Sequence, residues 1–107
     1  MNLLFVCSRN KWRSPTAEAV YKNHKDINVK SAGTSSSARV GLSAKTVIWA
    51  DIIFVMEKKH RQQILERYSA ESQHKTIIIL DIPDVYRFMD PELIEDIRSS
   101  VDSYLEL

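Results

Sequence analysis

The stretch Leu3-Leu4-Phe5-Val6-Cys7-Ser8-Arg9-Asn10-Lys11-Trp12-Arg13-Ser14-Pro15 decides how the rest of the chain is read. Leu3 to Val6 are apolar without alternation, which predicts a short strand buried on both faces, as in parallel sheets. The only cysteine of the chain follows, then a loop with Arg9, Lys11 and Arg13 and no acid before Glu18. Ser14 is expected as a helix N-cap and Pro15 as the first helical residue. A strand, a thiol, a basic loop and a helix start, in that order, predict a loop that binds phosphate while Cys7 attacks it.

The physical reasons are general. Successive backbone N–H groups in a tight loop turn inward on an anion, and the dipole of the following helix adds to them. Positive surroundings favour the thiolate, which is the nucleophilic form of a cysteine. Arg13 offers a flat fork of donors that grips two phosphate oxygens at once. A lone cysteine closing a strand otherwise reads as a small buried hydrophobe. The conjunction of residues, not the cysteine alone, carries the functional reading.

Composition sets the frame. The 107 residues, 44% hydrophobic and 27% charged, suit one cytoplasmic globular domain over residues 1–107. No apolar run approaches the roughly 20 residues that cross a membrane, and Met1 to Val6 lacks the basic start and cleavage site of a signal peptide. One cysteine excludes an internal disulfide and a multi-cysteine zinc site. His24, His60 and His74 follow no metal spacing, so no metal or other cofactor is expected, and each reads as a surface or helix-face residue. The net charge of +1 implies no bulk attraction to nucleic acid and gives no reason to expect membrane binding. The local cluster at Arg9, Lys11 and Arg13 fits a confined anion site instead.

Working outward, Ala17, Val20, Tyr21 and His24 share a face and predict a helix from Pro15 to about Lys25. Ile27 to Ser31 reads as a second strand, ended by Ala32-Gly33-Thr34, with Gly33 expected to supply an unusual backbone angle. Ser35 to Lys45 reads as a mobile loop, with a short helix possible over Ser43 to Trp49. Ile52 to Val55 is a third strand. Glu57 to Tyr68 is a helix with His60, Ile64, Leu65 and Tyr68 inward and a solvated face of Lys58, Lys59, Arg61 and Arg67. Thr76 to Leu80 is a fourth strand, and Asp81 to Met89 is an acidic loop. Asp90 caps a last helix that starts at Pro91, with Ile94, Ile97, Val101, Tyr104 and Leu105 as its apolar stripe. The expected fold is α/β: a three-layer, doubly wound domain with a four-stranded parallel sheet in the order 2-1-3-4 and the phosphate loop after strand 1.

Cys-x5-Arg-Ser-Pro at the mouth of a first strand resembles the low-molecular-weight protein tyrosine phosphatases. The likeness continues through Ser31-Ala32-Gly33-Thr34, Ala50-Asp51-Ile52-Ile53-Phe54-Val55-Met56 and the loop around Asp84. The resemblance implies a metal-independent hydrolase of phosphotyrosine proteins or small aryl phosphates, working through a phosphocysteine. It makes Cys7 the nucleophile, Arg13 the clamp and Asp84 the general acid, with Asp81 second for that role. Ser8, Arg9, Asn10, Lys11, Trp12, Arg13 and Ser14 would bind phosphate or another oxyanion. Ser14 would assist the thiolate, Asn10 would hold the loop in the left-handed region that Asn tolerates, and Ser31 would buttress it. Trp12 and Tyr86 are candidates to wall an aromatic slot, against the plainer reading of each as a packing aromatic.

The chain departs from the family pattern at several points. Val85 replaces the proline that usually follows the acid, Trp12 a second cysteine and Arg9 a glycine. The region after Thr34 is shortened, and the histidine that braces the loop serines in the family has no counterpart there. Two rival functions follow from the same loop. One is an arsenate reductase coupled to an external thiol, since no relay cysteines exist. The other is a non-catalytic module that binds phosphate or phosphopeptides. A phospho-acceptor signalling domain fits poorly, because Asp51 precedes the third strand instead of ending it.

Overall fold

The computed structural model describes all residues, Met1–Leu107. Strand β1 (Asn2–Cys7) leads through α1 (Arg13–Tyr21) to β2 (Asn28–Gly33), then through α2 (Ala44–Trp49) to β3 (Ile52–Val55). The chain continues through α3 (Lys58–Arg67) and a single turn, α4 (Ser69–Ser72), to β4 (Thr76–Ile79), and ends in α5 (Pro91–Leu105). All pairings are parallel and the strand order is β2-β1-β3-β4, as the apolar runs predict.

Residues of β1 alternate between two cores because successive side chains point to opposite faces. Leu3, Phe5 and Cys7 join Ala17 and Tyr21 of α1 and Leu93, Ile97 and Val101 of α5. Leu4 and Val6 join Val47, Ile53, Val55 and Ile64 on the other face. Phe5 stacks on both Tyr21 and Phe54, with ring centroids 5.9 and 5.3 Å away. Each large side chain removed from water contributes roughly 1.5–3 kcal/mol, so β1 is the best-anchored element. The chain leaves β1 toward β2 on one side and returns to β3 on the other. The reversal opens a crevice at the C-terminal end of β1, where Cys7 sits.

Several boundaries differ from the sequence reading. Ser14 is not the N-cap; α1 begins at Arg13, and Pro15 is its third residue. A proline fits there because the first-turn N–H groups have no helical acceptor anyway. Helix α1 ends at Tyr21, and Lys22 to Asp26 beyond it are all exposed. Leu65 and Tyr104 point more to water than expected, at 37% and 46% exposure, while Leu93 is fully buried. Asp90 does cap α5, accepting from the Glu92 N–H at 2.9 Å. Trp49 is only partly buried, packed against the second core with Lys30 Nζ 4.5 Å from its ring centre.

The segment after Thr34 is pinned. The N–H groups of Ser35 and Arg39 donate to the carbonyls of Ser8 and Arg9 at 2.8 and 3.0 Å. Gly33 donates to Val40 and accepts from Leu42, both at 2.9 Å. Ser43 and Thr46 then cap α2 reciprocally. Gly33 also differs from expectation, since no glycine has positive φ. What demands glycine is proximity: a Cβ there would lie 2.5 Å from the Ser8 carbonyl oxygen and 2.9 Å from the Asn10 nitrogen. Gly33→Ala must push the loop backbone aside. It should cost about 1–3 kcal/mol, read as a lower urea midpoint with an unchanged slope; an unchanged midpoint contradicts the contact.

Candidate active site

The loop from Cys7 to Ser14 closes around the thiol. Asn10 adopts φ 53, the left-handed conformation expected for it, and its N–H donates to Cys7 Sγ at 3.3 Å. The N–H groups of Ser8, Arg9, Lys11 and Trp12 have no acceptor within the protein. Such a run of free amides in a tight curve is an anion nest. Cys7, Ser8, Arg9, Lys11, Trp12 and Arg13 line a cleft of about 330 Å³, completed by Lys59 and Asp84.

Asn10 and Ser14 lie behind this wall, both fully buried. Ser14 Oγ is 2.9 Å from Cys7 Sγ. The Asn10 side-chain amide donates to Ser14 Oγ and to Ser31 Oγ, each at 2.9 Å. Ser31 in turn donates to Glu18 Oε1 at 2.5 Å. Ser14 Oγ accepts from Asn10, and its own proton has two acceptors in reach, Cys7 Sγ at 2.9 Å and the Ala32 carbonyl at 3.4 Å. Ser31 stands where the sequence reading puts it; Glu18, at the end of the chain of bonds, was not anticipated.

Arg13 is 1% exposed. Its Nη1 donates to Glu57 Oε2 at 2.6 Å and to the Ile82 carbonyl at 2.8 Å, and Nε lies 3.5 Å from Asp84 Oδ1. Nε and Nη2 make no hydrogen bond to the protein, so the edge of the fork that suits two oxygens faces the cleft with only the Asp84 carboxylate near it. Burial pushes the Glu57 carboxyl up, but the bond and charge of Arg13, helped by Lys59 and His60, hold it below the ordinary carboxylate value. Glu57 was missed in the sequence. Its signal was position, since it follows the third strand at the sheet's point of reversal.

His60 is fully buried, on the inward face of α3 as expected, and it corrects one expectation by bracing a loop serine from that helix: its Nε2 is 2.9 Å from Ser8 Oγ. Its Nδ1 accepts the Glu57 N–H at 3.0 Å, which fixes the neutral tautomer with the proton on Nε2, directed at Ser8. Burial first, then the Arg13 charge, lowers its pKa to about 4. Arg67 is likewise more than a solvated cation, since its Nη1 donates to the Thr34 carbonyl at 2.5 Å. Lys59 faces the cleft and approaches Glu57 at 3.9 Å.

On the acidic loop, Asp84 lines the cleft and is 56% exposed, whereas Asp81 is not part of its wall. Tyr86 is not on the cleft wall either. Its hydroxyl donates to Asp96 at 3.2 Å and its ring packs on the first core, so it moors the loop to α5. Trp12 does stand at the cleft, with Lys11 Nζ 4.8 Å from its ring centre.

Acid should strip away the His60 contribution. The folded protein keeps His60 neutral down to about pH 4, while the unfolded chain protonates near pH 6.5. Between those values the unfolded state holds the extra proton, so stability falls as pH drops through that window. His60→Gln should lose stability at pH 7 yet show a flatter decline from pH 6.5 to 4.5 in urea titrations. A parallel decline in both proteins contradicts the buried neutral histidine.

Comparison with known proteins fits this geometry. A model of the family "low molecular weight phosphotyrosine protein phosphatase" matches residues 2–48, the stretch holding β1, the loop and α1 through α2 to Ile48. No curated protein matches the chain by sequence. Among solved structures, the low molecular weight protein tyrosine phosphatase of Streptococcus pyogenes aligns with TM-score 0.80 at 18% identity, covering 98% of this chain and 91% of its own. Vibrio vulnificus Wzb, solved with benzylphosphonate, gives 0.78 at 22% identity, with 98% and 97% covered. The arginine phosphatase YwlE of Geobacillus stearothermophilus gives 0.68 at 21%, with 98% and 88% covered. The resemblance read from the loop therefore holds, in sequence over residues 2–48 and in fold along the chain.

Proposed function

We propose that residues 1–107 act as one catalytic domain, a cysteine-dependent phosphomonoester hydrolase of aryl phosphates, phosphotyrosine in proteins above all. The observation that carries this is that Cys7, a loop whose amides have no acceptor in the protein, and Arg13 line one cleft. A binding module needs the amides and the arginine but not the thiol.

In the first step the Cys7 thiolate attacks phosphorus as the P–O bond to the leaving group breaks. Asp84, on the cleft wall and open to solvent, protonates the departing oxygen. Arg13 and the loop amides hold the three equatorial oxygens and stabilise the charge spread over them. In the second step Asp84 takes a proton from water, the water attacks phosphorus, and the S–P bond breaks. Ser14 donates to the departing sulfur from 2.9 Å. Glu57, by fixing Nη1, aims the other edge of Arg13 at the phosphoryl group.

Substrate preference follows from the walls. Trp12 offers an apolar face to an aromatic leaving group. Arg9, Lys11 and Lys59 at the same cleft oppose a phosphoguanidino group, which brings its own positive charge. The fold neighbours include a tyrosine phosphatase and an arginine phosphatase, so both substrates belong in the assay. Phosphotyrosine and phenyl phosphate should turn over with chelator present, phosphoarginine should react more slowly, and Cys7→Ser should abolish turnover. Faster reaction of phosphoarginine would overturn the aryl assignment, and undiminished hydrolysis by Cys7→Ser would overturn the nucleophile.

Leaving groups separate the two acids. Asp84→Asn should slow phenyl phosphate by about 10²–10⁴ and p-nitrophenyl phosphate far less, because nitrophenolate departs without a proton. Asp81→Asn should resemble wild type with both. Equal losses in Asp84→Asn, or the larger selective loss in Asp81→Asn, would move the acid elsewhere.

A further inference from the structure

The loop's outer side carries charge that the reaction above does not use. Arg9 and Lys11 line not only the cleft over Cys7 but also a second hollow of about 430 Å³, whose other walls are Ser37 and Arg39. No acid lines it. The ion pairs of the chain are Arg13 with Glu57 and Asp84, and Lys59 with Glu57. Arg9, Lys11 and Arg39 therefore have no carboxylate partner. Arg39 is also aimed, since its Nε donates to the Asn10 carbonyl at 3.1 Å and its backbone N–H to the Arg9 carbonyl at 3.0 Å. Its two Nη groups make no hydrogen bond to the protein.

We infer that Arg9, Lys11 and Arg39 form a second anion subsite beside the phosphate loop, which selects phosphopeptides carrying a carboxylate or second phosphoryl group next to the phosphorylated residue. The inference rests on the phosphatase reading for the first subsite and extends it to the substrate's flank. Like charges gathered on one rim repel each other, and an anionic ligand relieves that repulsion. The sharing of Arg9 and Lys11 puts the two hollows side by side, so one short segment spans both. A peptide suits this better than a polynucleotide, because the net charge is only +1 and Asp84 stands on the adjoining cleft wall. Two bonds hold Arg39 against the loop, one from its backbone to Arg9 and one from its side chain to Asn10.

Binding tests this without depending on turnover. The probes are phosphotyrosine peptides with alanine, glutamate or phosphoserine flanks, and an unphosphorylated glutamate peptide, titrated against the Cys7→Ser protein at low salt. Glutamate or phosphoserine flanks should tighten binding about tenfold over alanine, the sum of a few exposed charge pairs. Adding Arg39→Gln should bring that ratio close to one, while Arg39→Lys keeps most of it, separating charge from the bond to Asn10. Whichever anionic flank gives the larger ratio identifies the preferred group. Equal affinities for all flanks, or a ratio that survives Arg39→Gln, overturn the subsite. Tighter binding of a 5′-phosphorylated oligonucleotide than of either acidic peptide overturns the choice of a peptide. Failure of the phosphatase reading looks different: tyrosine phosphorylation then adds nothing to affinity, while the unphosphorylated acidic peptide still binds in an Arg39-dependent way.

Discussion

The side-chain amide of Asn10 donates to Ser14 and Ser31 while its backbone sits at positive φ and its N–H points at the sulfur. One residue thus sets the curvature of the loop, fixes the hydroxyl beside Cys7 and ties both to β2. Glu18 ends one arm behind it, accepting from Ser31, so the Asn10 amide donates in two directions, through Ser31 toward the carboxylate and to Ser14 beside the thiol. Buried polar rows of this kind are costly when incomplete, since each unpaired member forfeits about 1–3 kcal/mol. Gly33 completes the constraint by letting β2 approach the loop backbone more closely than any side chain permits.

Arg13 is the second element on which the cleft depends. Burying a guanidinium costs several kcal/mol unless it is paired and fully hydrogen-bonded. Glu57 and the Ile82 carbonyl meet that requirement on one nitrogen only. The remaining edge is thereby oriented toward the cleft, where only the exposed Asp84 carboxylate stands near it. His60 links this arrangement back to the loop, since it receives the Glu57 N–H on one ring nitrogen and reaches Ser8 with the other. Strand β3 and helix α3 therefore position the loop as much as β1 and α1 do.

Strands β1, β3 and β4 were legible as apolar runs and β2, with polar Asn28, Lys30 and Ser31, by its loose alternation, and the order follows from placing the reversal at the one loaded loop. Cys7, Arg13, Ser14 and Asn10 were legible because they lie within one octapeptide. Glu57, Glu18 and His60 were not, because their roles arise from contacts 44, 13 and 52 residues distant in the chain. A charged residue on a helix reads as solvated until tertiary structure turns it inward. The inward face of His60, four residues before Ile64, was legible; its bond to Ser8 was not. Ser35 to Lys45 misled for the opposite reason: a serine-rich composition predicts looseness, whereas backbone bonds to Ser8 and Arg9 hold the segment in place. Nothing in the sequence marks Arg39 as belonging to the loop.

The central claim is that Cys7 carries the phosphoryl group between the two steps. Rapid acid quench of the enzyme with phenyl phosphate or p-nitrophenyl phosphate, followed by peptide mass spectrometry, observes that state directly. The account predicts one phosphoryl group on the peptide containing Cys7, appearing within the first turnover and accumulating further in Asp84→Asn with p-nitrophenyl phosphate, where only the second step is slowed. Release of phosphate through many turnovers with Cys7 unmodified at every quench time would contradict it.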